Sequence, residues 1–185
     1  MAILKIARMG HPVLTRRAEP VGSADDPELR RLVRDMTETL ADAGGVGLAA
    51  PQVHVSRRVI VYHVPATRAG AEDEPGAAVP LSAVVDPVLQ PVGDAMEVGW
   101  EGCLSMPGLR GAVPRHRTVR LTGRDPDGRP IALAASGFHA RVLQHEVDHL
   151  DGILYPMRMN DLSRFAYYEE WQTYLAMAPL PEERG

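Results

Sequence analysis

The spacing of apolar residues predicts a helix near the N-terminus of the chain. In ADDPELRRLVRDMTETLADAGG, apolar side chains recur every three or four residues and form one stripe. The stripe consists of Leu29, Leu32, Val33, Met36 and Leu40. Asp26 can cap the first turn, Pro27 suits the first helical position, and glycines 44–45 end the helix.

Two further helices are expected in the C-terminal half of the chain. One extends from about Ser136 to Asp151, where apolar residues flank a polar face. The other extends from Asn160 to about Met177 and begins a C-terminal helix and tail over 160–185. Its expected apolar anchors are Leu162, Phe165, Trp171 and Leu175.

Runs of alternating or β-branched residues predict strands between these helices. The runs are AILKI (2–6), RRVIVYHV (57–64), LSAVVDPVLQPVG (81–93), DAMEVGW (94–100) and a hairpin, TVRLTGRDPDGRPIALAA (118–135). The segment 66–80 has little to bury and is expected to form a surface loop. The sequence therefore predicts an α+β fold, with antiparallel strands around a central helix and one helix towards each terminus.

The amino-acid composition excludes several classes of protein. The 185 residues are 45% hydrophobic and 24% charged, which is typical of a single domain, here expected over 1–185. The net charge of −4 and the absence of a basic stripe argue against nucleic-acid binding. The single cysteine excludes an internal disulfide and fits a cytoplasmic protein. No apolar run approaches the roughly 20 residues of a membrane span, and no signal peptide is expected.

The segment QHEVDHLDG (144–152) contains an HExxH pattern on the expected central helix. His145 and His149 are four residues apart, so they share one helix face and can bind one ion. Glu146 can reach a water on that ion and handle its proton, as in metallohydrolases. A solvated helix face is the alternative, but the apolar neighbours Val142 and Val147 indicate partial burial.

Two other segments offer the remaining parts of a site. Cys103 in EGCLSMPG (101–108) is the expected third ligand, although a small buried cysteine is also common. In GGVGLAAPQ (44–52), Gly45 and Gly47 allow a close approach of the backbone to a ligand or another segment. Gln52 could donate to an oxyanion, whereas a plain turn followed by packing residues is the alternative.

GVGLAAPQ, EGCLS and QHEVDHLDG, in this order, resemble the three signature motifs of the peptide deformylases. The N-terminal LKIARMGHPVLTRRAEPV is also similar to that family, and the resemblance covers residues 3 to about 157. It implies removal of the formyl group from the N-terminal formyl-methionine of new chains, with release of formate. It also implies one divalent ion, ferrous iron natively, with Zn²⁺ or Ni²⁺ possible in purified protein.

The resemblance assigns roles to individual residues. The metal ligands would be Cys103, His145 and His149, with Glu146 as general base and acid, and Gln52 and the Leu104 N–H as oxyanion donors. Residues for substrate binding would be Val46, Gly47, Gly102, Arg110, Phe138 and Val142. Arg141 stands where some members carry an apolar pocket residue. Asp148 would pair with Arg115 as structural support, or would simply be a solvated helix acid.

The resemblance also implies that the partners are formylmethionyl peptides and nascent chains, whereas charge and composition already argue against nucleic acid and membrane. Residues 160–185 hold five acids and two bases, so ribosome binding through a basic tail is not expected. A zinc peptidase of the HExxH type is one alternative, but it would leave EGCLS without a role. A catalytically inactive binding protein is another, and it would be expected to lack Glu146, Gln52 or a ligand.

Overall fold

The computed structural model describes residues 2–22, 26–69 and 78–180. Its first helix, α1 (Pro27–Ala43), confirms the helix predicted from the N-terminal stripe. The Asp26 carboxylate accepts a hydrogen bond from the Glu28 N–H, and Gly44 ends the helix in the left-handed conformation, with φ of 63°. Leu29, Met36 and Leu40 of the stripe are buried against the adjacent sheet.

Within the described ranges, eight strands form two sheets in which the neighbouring strands are antiparallel. They are β1 (Gly47–Ala49), β2 (Val59–Val64), β3 (Val79–Pro91), β4 (Met96–Cys103), β5 (Met106–His116), β6 (Thr118–Arg124), β7 (Pro130–Ser136) and β8 (Phe165–Tyr167). The larger sheet has the order β1-β2-β3-β6-β7, and the smaller has the order β4-β5-β8. The fold is therefore α+β, as predicted, and β6–β7 is the predicted hairpin.

Helix α2 (Gly137–Leu150) follows β7 directly and contacts strands of both sheets. Its apolar side packs on the larger sheet through Ala140, Leu143, Val147 and Leu150. The remaining side carries the two histidines of the HExxH pattern. Gly152, with φ of 74°, lies just beyond the helix, and a Cβ there would collide with the backbone of Thr15 and Arg16.

The predicted strand AILKI at 2–6 is wrong: this segment has no regular secondary structure. Its backbone instead bonds to side chains of α1, because the Leu4 N–H donates to Thr39 Oγ1 over 2.9 Å and the Ala2 N–H donates to Glu38. Farther along, the Ala7 N–H donates to the Gln52 carbonyl. Side-chain acceptors thus replace the backbone hydrogen bonds to a neighbouring strand that a β-strand would need.

The predicted C-terminal helix from 160 to about 177 is also wrong in most of its length. A 3-10 turn, Leu162–Arg164, leads into β8, which pairs with β5. Only the short helix α3 (Tyr168–Glu170) and the π-helical turn Trp171–Leu175 follow. The expected anchors Phe165 and Trp171 are six residues apart, so the anchors form no continuous helical stripe, and Leu162 is 68% exposed.

The expected loop 66–80 is shorter than predicted at its C-terminal end. Ala66–Arg68 form a 3-10 turn, whereas Val79 and Pro80 already belong to β3 because Val79 pairs with Val64. Residues 70–77 of this loop lie outside the described residues. Among the described helices, none combines the length and the apolar character needed to cross a bilayer.

Candidate active site

A cysteine and two histidines meet where the end of β4 faces helix α2. Cys103 is the last residue of β4, and His145 and His149 lie one turn apart on α2. One ligand atom from each residue lies within 4.8 Å of the other two, and Cys103 Sγ is 3.2 Å from His149 Nε2. One thiolate and two imidazoles at this separation suit a divalent ion such as Zn²⁺ or Fe²⁺ and leave a coordination position open.

Glu101 fixes the ring of His145, a role that the sequence motifs do not predict. Its carboxylate lies 2.8 Å from His145 Nδ1, which leaves Nε2 directed to the cluster. Burial alone would raise the pKa of Glu101, but hydrogen bonds from His145 and Arg115 hold that pKa well below its usual range. A signal was present in the sequence, because residues 101 and 103 of one strand lie on the same face.

A buried ionic network extends from Glu101 across helix α2. Arg115 donates to both carboxylate oxygens of Glu101, at 2.9 and 3.0 Å, and to Asp148 at 2.5 Å. Arg158, which the sequence analysis did not single out, donates to Asp148 at 2.8 Å. Asp148 and Arg115 therefore lie outside the metal cluster, where they join α2 to β5 and to the segment after the helix.

Glu146 is 4% exposed, and its carboxylate lies against the backbone of Gly47. A Cβ at Gly47 would overlap that carboxylate, so only glycine fits there. Burial raises the pKa of Glu146 to about 7. Its Oε2 atom has no hydrogen-bond partner among the described residues, which is unusual for a buried oxygen and fits a position reserved for water or substrate.

Glu146→Gln is expected to stabilise the metal-free protein above pH 7. The pKa of this carboxyl is near 7 in the folded protein and 4.5 in the ordinary case, so its contribution to stability is fully present below pH 4.5 and is lost as pH rises through 7. A neutral amide does not ionise, so the variant avoids this loss, which amounts to about 3 kcal/mol at pH 8. Urea unfolding of both proteins at pH 5 and pH 8 measures the effect. An equal difference at the two pH values would contradict it.

Gln52 directs its amide nitrogen into the same cluster. Its Oε1 accepts a hydrogen bond from the Ala49 N–H at 2.8 Å, which fixes the orientation of the amide. Its Nε2 then lies 3.1 Å from Ser105 Oγ and 3.5 Å from Cys103 Sγ. Leu104 is the first residue of the tight turn between β4 and β5, so its N–H directly follows the cysteine. Gln52 Nε2 is thus a donor beside Cys103, and the Leu104 N–H is the next backbone donor along the chain.

One cavity of about 590 Å³ opens onto this cluster, with Cys103, His145 and Glu146 in its lining. The sequence-derived substrate residues also line it: Val46, Gly47, Gly102, Arg110, Phe138 and Val142. Gln52 and Leu104 line it as well. Trp100, Tyr168 and Trp171 complete this part of the lining. No motif in the sequence marks Trp100 or Tyr168, and the sequence predicts Trp171 only as a helix anchor.

Arg141 also reaches the cavity, but its charge is compensated by the protein. Its guanidinium donates to Glu101 at 3.0 Å and to the carbonyls of Val113 and Glu97 at 2.8 and 2.7 Å. Gly99 leaves room for it, since a Cβ at that position would lie 2.7 Å from Arg141 Cζ. The arginine therefore braces Glu101 at one wall of the cavity.

Fold and site together fit one class, the metal-dependent hydrolases, with one cysteine and two histidines that could hold the ion. Comparison with known proteins identifies the family. Residues 3–165 match the polypeptide deformylase family, and the chain belongs to it. Peptide deformylase 1 of Bordetella pertussis is 52% identical over 165 residues, which are 89% of this chain and 92% of the relative.

Solved structures agree with this family assignment. A peptide deformylase from Ehrlichia chaffeensis superposes with a TM-score of 0.79 at 31% identity, covering 88% of this chain and 91% of the other. A Met-Ala-Ser-bound class I type b peptide deformylase from Acinetobacter baumannii gives 0.76 at 34% identity, covering 85% and 99%. The chain is therefore a deformylase, and neither the zinc peptidase nor the inactive binding protein is favoured.

Proposed function

We propose that this enzyme removes the formyl group from the N-terminal formyl-methionine of newly made polypeptides and releases formate. The observation that carries the proposal is the cavity in which the Cys103, His145 and His149 cluster meets the unpartnered Glu146 carboxylate. The proposed catalytic domain extends over the whole chain, 1–185. N-formylated nascent chains would be its partners, and a cytoplasmic location follows from where such chains are made.

Cys103, His145 and His149 would hold one divalent ion, and the buried donor set with its short separations fits it. When bound, the ion would acidify a water and polarise the formyl carbonyl. Thiolate and imidazole ligands accept both iron and zinc, so the donor set alone does not select the metal. We propose ferrous iron as the native ion, with Zn²⁺ or Ni²⁺ in some purified samples.

In this proposal Glu146 carries the proton. Its carboxylate takes a proton from the attacking water and passes it to the amine of methionine as the C–N bond breaks. Burial raises the pKa of this carboxyl and so favours its protonated form, which is the form that gives a proton to the amine. Gln52 Nε2 and the Leu104 N–H would donate to the oxygen of the formyl group as negative charge develops there.

The substrate would bind as an extended strand beside β1. This strand is at the edge of the larger sheet, where β2 is its only partner among the described strands, so its other side can accept a peptide. Backbone groups near Val46, Gly47 and Gly102 would hold the chain, and Arg110 would assist. The methionine side chain would lie among the apolar residues Val46, Phe138 and Val142. The Met-Ala-Ser peptide in the Acinetobacter baumannii relative is the corresponding product type.

Formate release from formyl-Met-Ala tests the proposed function. The protein with its metal content measured is expected to release one formate and one Met-Ala per substrate. The same preparation should leave acetyl-Met-Ala and the internal bonds of longer peptides intact, as expected of a deformylase. Cleavage of internal peptide bonds without formate release would overturn the proposal in favour of a peptidase.

Gln52→Leu is expected to lower kcat by about 10²–10³-fold, the usual scale for one oxyanion donor. The KM for formyl-Met-Ala should change much less, because the donor acts mainly on the charge that develops during the reaction. Gln90→Leu, the same change at an exposed position of β3, is the matched control. An unchanged kcat in the Gln52 variant would remove this residue from the catalytic machinery.

A further inference from the structure

Three aromatic residues and one arginine form a continuous surface along one side of the cavity. We call Trp100, Arg110, Tyr168 and Trp171 the aromatic wall. Arg110 Cζ lies 5.1 Å from the ring centre of Tyr168 and 5.9 Å from that of Trp171. The rings of Trp100 and Trp171 are 6.0 Å apart at 67°. These contacts hold side chains from three separate segments in one surface.

The aromatic wall begins next to the metal cluster. Arg110 lies directly over Gly102, where a Cβ would overlap its guanidinium, and Gly102 is the neighbour of Cys103. All four wall residues line the same cavity as Cys103 and Glu146. A peptide whose formyl group is at the cluster therefore has this surface within a few residues of its N-terminus.

The local backbone also favours a binding role for this surface. Trp171 begins a π-helical turn, in which the Ala176 N–H donates to the Trp171 carbonyl at 2.8 Å. Turns of this kind are rare and occur frequently at functional sites. The turn follows β8, so the pairing of β8 with β5 is what places Tyr168 and Trp171 beside Arg110.

The wall shares the cavity with Val46, Phe138 and Val142, the apolar residues that take methionine in the proposed function, but consists of other residues. We propose that the aromatic wall binds the side chain of the second or third residue of the substrate and favours an apolar one. This inference rests on the proposed function. In an extended chain, successive residues advance about 3.3 Å and point to opposite sides, so only one of these two positions should face the wall.

Charge in the cavity should also make the aromatic wall disfavour a basic substrate side chain. Arg68 and Arg110 line the cavity, whereas its acidic residues, Glu101 and Glu146, are buried. A lysine at the wall-facing position would meet the Arg110 guanidinium without an exposed acid in the cavity lining to compensate. Leucine would instead cover the tryptophan rings and remove apolar surface from water.

Kinetics with matched tripeptides test the preference. Formyl-Met-Ala-Ala is compared with peptides that carry leucine or lysine at position two or at position three. At one of these positions, leucine is expected to raise kcat/KM about tenfold over alanine, mainly through KM, and lysine should give no gain. Equal kcat/KM for all peptides would overturn the inference. Absence of formate from every peptide would instead count against the proposed function.

Variants of Trp171 show whether the aromatic wall binds the substrate side chain or only supports the structure. Trp171→Ala is expected to reduce the leucine-to-alanine ratio of kcat/KM to near one, and Trp171→Phe should retain most of it. Tyr174→Ala is the matched control, because Tyr174 is 72% exposed on the same turn and does not line the cavity. If Trp171→Ala lowered kcat/KM equally for leucine and alanine peptides, the wall would be structural and the inference wrong.

Tryptophan fluorescence gives a readout that does not depend on turnover. The chain has two tryptophans, and both belong to the aromatic wall. Titration of the wild-type enzyme with the product peptides Met-Leu-Ala and Met-Ala-Leu should give a saturable change for the one that reaches the wall. Its half-saturation should be about tenfold below that of Met-Ala-Ala. Identical titrations with all three peptides would overturn the inference.

Discussion

Glu146→Ala is expected to lower kcat for formyl-Met-Ala by at least about 10²–10⁴-fold, the range for loss of a general acid–base, while the protein keeps its metal. The cluster retains Cys103, His145 and His149 in this variant, so the ion remains held. What is lost is the only carboxylate in the cavity lining that lacks a hydrogen-bond partner within the described protein. Measurement of kcat together with metal content per chain tests both halves of the expectation.

Two matched variants make this experiment specific. Asp94→Ala removes an exposed acid from the turn between β3 and β4 and should leave kcat unchanged. His149→Ala should lose the metal as well as the activity, because a ligand has been removed. Near-native kcat in Glu146→Ala would show that the proton is carried by another group, and the proposed mechanism would be wrong.

The ionic network explains why residues on different elements can form one site. Glu101 on β4 bonds His145 on α2, and Arg115 on β5 joins Glu101 to Asp148 on the same helix. Buried charges of this kind cost free energy unless each is paired, and here each carboxylate receives several donors. The network therefore holds α2 in one position relative to the strand that ends at Cys103.

Local sequence signals were sufficient for the parts of the fold that depend on local interactions. Helix α1 has a cap at Asp26, a regular apolar stripe and a terminating Gly44, and its predicted bounds agree with the structure. The strand prediction for residues 2–6 was wrong because Thr39 and Glu38, which are distant in sequence, supply the hydrogen-bond partners of this segment. β-Propensity could not reveal that a helix side chain replaces a neighbouring strand.

In the site, too, features that depend on local sequence were predictable and features that depend on long-range contacts were not. The spacing of His145 and His149 on a helix placed both on one face, and the structure brings Cys103 to them. The aromatic wall could not be anticipated, because it requires the C-terminal segment to pair with β5 and then turn towards the cavity. Such long-range placement leaves no periodic signal in the segment itself, so Trp171 was interpreted only as an anchor.

Ferrous enzyme is expected to be more active than the zinc enzyme when both are prepared without oxygen, and air is expected to inactivate the ferrous form. Affinity for the ligand set favours zinc over ferrous iron, so aerobic preparations should contain zinc or nickel. The deformylase resemblance implies iron as the active ion. The metal found in a purified sample would then reflect its preparation rather than its native state.

Cys103 provides a physical reason for sensitivity to air once the metal has left. Burial alone would raise the pKa of its thiol, but the electrostatic interaction with His149 and a hydrogen bond with His145 hold that pKa well below the usual value. The resulting thiolate is the form that oxidants attack, and the chain has no second cysteine with which it could form an internal disulfide.

Reconstitution distinguishes these effects. Metal-free protein is loaded with Fe²⁺, Ni²⁺ or Zn²⁺ without oxygen, formate release is measured, and air is then admitted. The ferrous form should lose activity, and mass spectrometry should find oxidised Cys103 in the fraction that has lost its metal. The zinc form, with no redox chemistry of its own, is the control and should keep its lower activity. Equal rates with iron and zinc, or a ferrous form indifferent to air, would contradict this prediction while leaving the deformylase assignment intact.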